Sequence, residues 1–65
     1  MKTIKIKGMS CQHCVMAVTK ELMKLEGLKN VQVSLANGEA TFEEEKPVAA
    51  HLIREAVEKA GFDVA

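Results

Sequence analysis

The sequence predicts an α+β fold with the element order β-α-β-β-α-β. Three observations carry this reading. Apolar residues alternate with polar ones in the opening segment and again on both sides of Asn37-Gly38. Two intervening stretches space their apolar residues by three and four instead, and each ends at a glycine, Gly27 or Gly61. Period two marks a half-buried strand, and the three-four spacing marks one face of a helix. Both helices then connect strands and each owns a single apolar stripe. The arrangement that buries every stripe is one four-stranded antiparallel sheet with both helices on one face. The first and third strands belong in the centre, with the second and fourth as edges.

Thr3–Lys7 reads as the first strand, with Ile4 and Ile6 on its buried side. Gly8–Gln12 breaks the alternation and forms a loop. From about His13 the period becomes helical, through Val15, Val18, Leu22 and Leu25. Gly27 falls where a left-handed C-terminal cap is expected, with Leu28 folding back onto the last turn. Val31, Val33 and Leu35 alternate with polar residues, and Ala40 and Phe42 continue the inward face after Asn37-Gly38. That dipeptide favours a tight type I′ turn, so residues 29–43 form a hairpin. Pro47 suits a first helical turn, and Glu43, Glu44 and Glu45 suit its positive end. The second helix is expected over Pro47–Ala60, its inner face formed by Val48, Leu52, Ala56 and Ala60 with Ile53 and Val57 beside them. Gly61 caps it, and Phe62–Val64 is a short last strand.

Bulk properties exclude several functions. The 65 residues make one domain, 1–65, with a marginal core. Nine basic and nine acidic side chains cancel, and Phe42 and Phe62 are the only aromatic residues. A nucleic-acid binder needs a basic excess and stacking rings, so no nucleic-acid partner is expected. The N-terminus lacks the apolar core of a signal peptide, and no run approaches the ~20 apolar residues that cross a bilayer. The expectation is a cytoplasmic protein without direct membrane insertion. In a reducing compartment, two cysteines three apart point to metal binding or redox chemistry rather than to a structural disulfide.

The pair Cys11 and Cys14 sits at the junction of first strand and first helix. Unpaired backbone N–H groups and the helix dipole favour negative charge there. A thiol in such a place has its pKa lowered from ~8.5 into the ~3.5–7.5 range. Two thiolates underfill a structural zinc site, which takes four ligands. Soft thiolates select Cu(I), and an open two-sulfur site on a loop also permits attack by an incoming thiolate. From spacing alone, an incidental pair and a redox pair remain open beside metal carriage.

Gly8-Met9-Ser10-Cys11-Gln12-His13-Cys14-Val15 resembles the heavy-metal-associated domain motif G-M-[ST]-C-x-x-C. The resemblance extends through Val18 and Leu22, Leu25-Glu26-Gly27-Leu28 and Ala60-Gly61-Phe62-Asp63-Val64-Ala65. It implies the ferredoxin-like βαββαβ sandwich. Within the family the chain looks most like the free, single-domain bacterial copper chaperones. These are not enzymes; they deliver Cu(I) to copper-transporting P-type ATPases whose metal-binding domains share the motif. The resemblance makes Cys11 and Cys14 the metal ligands and Met9 a buried support of the loop. It places Phe62 beside the loop, where bacterial relatives often carry tyrosine and eukaryotic ones lysine, so the tyrosine hydroxyl is missing. Ser10 stands where zinc- and cadmium-exporting relatives often carry a carboxylate. Without that hard oxygen the site favours Cu(I), with Ag(I) as a mimic and Hg(II) as an alternative cargo.

His13 reads as a solvent-facing neighbour of the site, with direct ligation as the alternative. His51 lies opposite the apolar stripe of its helix. Met16 and Met23 lie off the first helix's stripe as edge-packing or exposed residues, with thioether ligation as the alternative, and Lys20 and Lys24 form a solvated flank. Two further functions stand beside the chaperone: a metal-binding domain detached from a transporting ATPase, and a thiol-disulfide oxidoreductase. The latter is disfavoured by the short chain and by Pro47 standing before a helix. The expected apo state is a monomer, with a copper-bridged dimer as a hypothesis.

Overall fold

A computed structural model describes all of residues 1–65. The elements follow the order β1 (Lys2–Lys7), α1 (Gln12–Met23), β2 (Leu28–Ser34), β3 (Glu39–Glu44), α2 (Ala50–Lys59) and β4 (Asp63–Val64). The strands form one antiparallel sheet in the order β2-β3-β1-β4, so β1 and β3, the strands that precede the helices, are central as expected. Both helices cover one face. The core lies between the layers and is wholly apolar: Ile6, Val18, Leu22, Ala40, Phe42, Ile53, Ala56 and Val57. No buried side-chain nitrogen or oxygen lacks a partner.

The first helix ends four residues before Gly27, contrary to the predicted cap. The N–H groups of Lys24 and Leu25 bond back to the Glu21 and Leu22 carbonyls at 3.3 and 3.1 Å, which tightens the end of the helix. Gly27 serves a separate turn, in which the Leu28 N–H reaches the Leu25 carbonyl at 3.4 Å. Its φ is 102°, and a Cβ there would lie 3.1 Å from both the Lys46 carbonyl oxygen and Val48 Cγ2. A Gly27→Ala protein is therefore expected to lose about 1–2 kcal/mol through left-handed strain and crowding. A chemical-denaturation midpoint equal to that of the parent chain would contradict this.

The hairpin also departs from expectation. Residues 35–38 form a four-residue loop closed by the Gly38 N–H on the Leu35 carbonyl at 3.3 Å. Gly38 has φ 62°, while Asn37 stays out of the left-handed region, so the turn is not type I′. The Ser34 hydroxyl accepts the Asn37 N–H at 3.3 Å and holds the longer loop. Further along β2, Leu28 and Val31 both pack against the core. Residues three apart cannot share a face of a regular strand. An irregularity between Lys29 and Gln32, with Asn30 at φ 52°, shifts the register to allow it. The Glu43 carboxylate accepts a hydrogen bond from the Asn30 amide.

The second helix starts at Ala50, not Pro47, and no acidic residue stands in its first turn. Glu44 instead ties the connection together. It pairs with Lys2 Nζ at 2.7 Å and accepts the Val48 N–H at 2.9 Å. Lys2, and then the Val48 N–H, hold its carboxyl below the usual range. The inner face of α2 is Ile53, Ala56 and Val57, with Val48 and Ala60 partly buried; Leu52 turns to the flank and is 41% exposed. Gly61 does cap α2. Its N–H reaches the Glu58 carbonyl at 2.9 Å, and that of Phe62 reaches Val57 at 3.1 Å. These are the two bonds of a Schellman motif. The cap turns the chain into the short β4, which starts at Asp63 rather than Phe62.

Candidate metal site

The sheet delivers β1 to the start of the loop 8–11, and α1 begins where the loop ends. Gly8 has φ 96°, and a Cβ on it would lie 3.3 Å from Phe62 Cδ1. The Phe62 ring thus lies against the first residue of the loop, held there by the cap of α2. Met9 is partly buried and packs against the core from beneath. The next residues, Ser10 and Cys11, are exposed.

Cys11 is the N-cap of α1, with extended backbone at φ −157° and ψ 172°. Its side chain makes no capping bond to the helix. Its carbonyl accepts the N–H groups of Cys14 and Val15 at 3.0 and 3.3 Å and so begins the helix. Cys14 lies in the first turn and is partly buried. The two sulfurs are 3.6 Å apart, both cysteines are free thiols, and the Ser10 hydroxyl lies 4.0 Å from Cys14 Sγ.

The Cys14 thiol is lowered to about 7. The Ser10 backbone is the largest cause and the Cys11 backbone the second, with the Cys11 and Ser10 side chains adding less; desolvation works the other way. The sequence points to the helix terminus, and the geometry moves the emphasis to the loop in front of it. No side-chain signal marks Ser10 for this part, because its larger contribution comes from the main chain.

The folded state binds the Cys14 proton less tightly than an unfolded chain, whose thiols titrate near ~8.5. The resulting stabilisation is present above that value and is lost as pH falls through about 7. Alkylation of the apo protein by iodoacetamide reads the same thiolate. Cys14 should label along a titration curve centred near pH 7. A curve centred above 8.5 would remove the depression.

No third His, Cys, Asp or Glu gathers with the sulfurs, and no cluster of three or more such side chains occurs elsewhere. His13 is exposed, as is His51 on α2. Met16 and Met23 are 66% and 67% exposed. Lys20 and Lys24 are exposed, and Lys24 pairs with Glu21 at 3.1 Å. No helix is long and apolar enough to cross a membrane. The arrangement offers two sulfur donors on an open surface, one of them a thiol lowered to about 7.

Known proteins resemble this chain along its length. The copper chaperone CopZ of Bacillus subtilis is 42% identical over 66 residues, covering 98% of this chain and 94% of that protein. A solved structure of a CopZ metallochaperone superposes with a TM-score of 0.88 at 32% identity, covering 98% of this chain and 97% of that one. A segment of copper-transporting ATPase 1 from Mus musculus is 40% identical over 63 residues; it covers 95% of this chain and 4% of that protein. Residues 3–63 match the heavy-metal-associated domain. The chain belongs to the heavy-metal-associated domain family and is closely related to the bacterial CopZ-type copper chaperones.

Proposed function

We propose that this chain is a non-catalytic carrier of Cu(I), held by the thiolates of Cys11 and Cys14 and passed on by ligand exchange. The observation that carries the reading is the pair of free sulfurs 3.6 Å apart at the exposed start of a helix, with no third ligand gathered around them. Two soft donors suit a monovalent soft ion and leave a divalent zinc ion short of ligands. The open side of the site gives an incoming thiolate a path to the metal. Attack forms a three-coordinate intermediate, one of Cys11 and Cys14 leaves, and a second incoming thiolate displaces the other, so that the metal passes on without free ion. Met9 and Phe62 support the loop from below and from the side, Ser10 supplies backbone charge stabilisation, and His13 remains an outer neighbour. The cytoplasm, where thiols stay reduced, is the compartment this chemistry requires.

The acceptor in this reading is the heavy-metal-associated domain of a copper-transporting P-type ATPase. Sequence kinship with such an ATPase supports it: the two proteins would present like sites and exchange metal between equals. Titration with Cu(I) against a competing chelator, beside Zn(II) and Hg(II), tests the cargo. One tightly held Cu(I) per chain and weak Zn(II) retention are expected. Zn(II) held as tightly as Cu(I) would overturn the assignment. Ag(I) and Hg(II) should bind the same two sulfurs, and only their competition with Cu(I) ranks them.

A further inference from the structure

We propose that Asn37 is a self-modification site: the main-chain nitrogen of Gly38 attacks it, isoaspartate and aspartate result, and the change reaches the end of β1 that leads into the metal loop. Three features single out this residue. Asn37 is exposed, and its side chain takes no part in the bonds that hold loop 35–38. The next residue is a glycine with φ 62°, so no side chain shields the attacking nitrogen. That nitrogen is held by a long bond, 3.3 Å to the Leu35 carbonyl, and the Asn37 N–H by another of 3.3 Å to the Ser34 hydroxyl. Both exceed the usual ~2.9–3.0 Å, so the loop loses little when the nitrogen turns toward Asn37 Cγ. The chain's other asparagine is the internal contrast. The Asn30 amide is tied to the Glu43 carboxylate, and the β-branched Val31 crowds the nitrogen that follows it.

The reaction needs only water. The Gly38 nitrogen gives up its proton and bonds to Asn37 Cγ. The bond from Cγ to the side-chain nitrogen breaks, and that nitrogen takes up a proton through solvent and leaves as ammonia. Water then opens the cyclic succinimide on one of two sides. Breaking the new bond to Cγ gives aspartate. Breaking the bond from the Gly38 nitrogen to the main-chain carbonyl of residue 37 gives isoaspartate, whose main chain is one methylene longer. That extra length falls directly before Gly38, whose carbonyl accepts the Ile6 N–H at 2.8 Å. A Cβ on Gly38 would lie 3.3 Å from the Ile6 carbonyl oxygen, so the two backbones have little room to adjust. The longer link therefore pulls the Gly38 carbonyl off Ile6, two residues before Gly8 and the metal loop.

The test incubates the whole apo protein, thiols reduced, at mildly alkaline pH and physiological temperature. Peptide mapping by mass spectrometry should place the mass gain of deamidation at Asn37 and not at Asn30. A protein isoaspartate methyltransferase should transfer methyl groups from S-adenosylmethionine to position 37. The Asn37→Gln protein, whose longer side chain disfavours ring closure, should take up none. In the isoaspartyl form, separated by chromatography, hydrogen exchange at the Ile6 amide should speed about fivefold, the scale of one lost hydrogen bond. Asn37 left intact after a free peptide of residues 33–42 has fully converted would overturn the site, and so would equal conversion at Asn30. Unchanged exchange at Ile6 in the isoaspartyl protein would overturn the transmission to β1.

Discussion

Cys11→Ser and Cys14→Ser proteins should each lose Cu(I) affinity by more than about 100-fold, because outer-shell changes alone cost ~10–100-fold at metal sites and these remove a ligand. The double variant should not retain Cu(I) against a chelator at all. The reason is the donor count. With two sulfurs and no third His, Cys, Asp or Glu nearby, nothing replaces a lost ligand. Serine keeps the size of the side chain but offers a neutral hydroxyl, a poor donor for a soft ion. The fold should survive. Cys11 is exposed and caps α1 through its carbonyl rather than its side chain, so the backbone bonds to Cys14 and Val15 remain. Unchanged far-UV circular dichroism beside lost binding separates a ligand effect from unfolding. Retention of Cu(I) by the double variant under reducing conditions would place the site elsewhere.

The Cys11→Ser protein keeps the thiol that is lowered to about 7, because the Ser10 and Cys11 backbone, which lowers it most, stays in place.

Why the sequence conveys the sheet better than its connections follows from the same residues. Alternation and helical spacing report which side chains must leave water, and Ile6, Val18, Leu22, Ala40 and Phe42 all do so. Turns depend on hydrogen bonds that periodicity does not encode. Asn37-Gly38 has the composition of a type I′ turn, yet the Ser34 hydroxyl captures the Asn37 amide and stabilises a longer loop. Gly27 is needed for its left-handed φ, but in a turn after the helix instead of at its cap. The bulge at Asn30 leaves a readable trace in hindsight. Leu28 and Val31 stand an odd number apart while both are apolar, and asparagine is a residue that tolerates positive φ. On α2, assigning Leu52 to the inner face and Ile53 beside it rotated the stripe by about one residue, a slip that a short helix does not correct from spacing alone.

The site divides in the same way. The placement of Cys11 on the loop and Cys14 in the first turn is legible from the change of period between them. The contact of the Phe62 ring with Gly8 is not, since the two lie at opposite ends of the chain and meet only through pairing of β4 with β1. The family resemblance supplies that neighbour where periodicity cannot. The contact itself is one of shape: a ring against a glycine, with no hydroxyl to bond the loop.

Phe42→Ala should be the most damaging substitution in the chain. Phe42 is fully buried at the centre of β3 and is the largest side chain in the core. Truncations of this kind cost about 3–5 kcal/mol, from lost transfer energy and the cavity left behind. A domain of this length holds only about 3–10 kcal/mol in total, at ~0.05–0.15 kcal/mol per residue. The variant should therefore be largely unfolded near 37 °C, or melt far below the parent. Copper should partly rescue it. An ion that binds the folded chain more tightly than the unfolded one shifts the balance toward folding with its concentration. The rescue is limited because the unfolded chain keeps both thiols, three residues apart in the chain, and retains some affinity of its own. Thermal melts followed by circular dichroism, with and without one equivalent of Cu(I), read both effects together. A Phe42→Ala melt close to that of the parent would mean that the sheet and helices do not depend on this ring. A melt that copper leaves unmoved would mean that the folded chain does not orient its two sulfurs any better than the unfolded one.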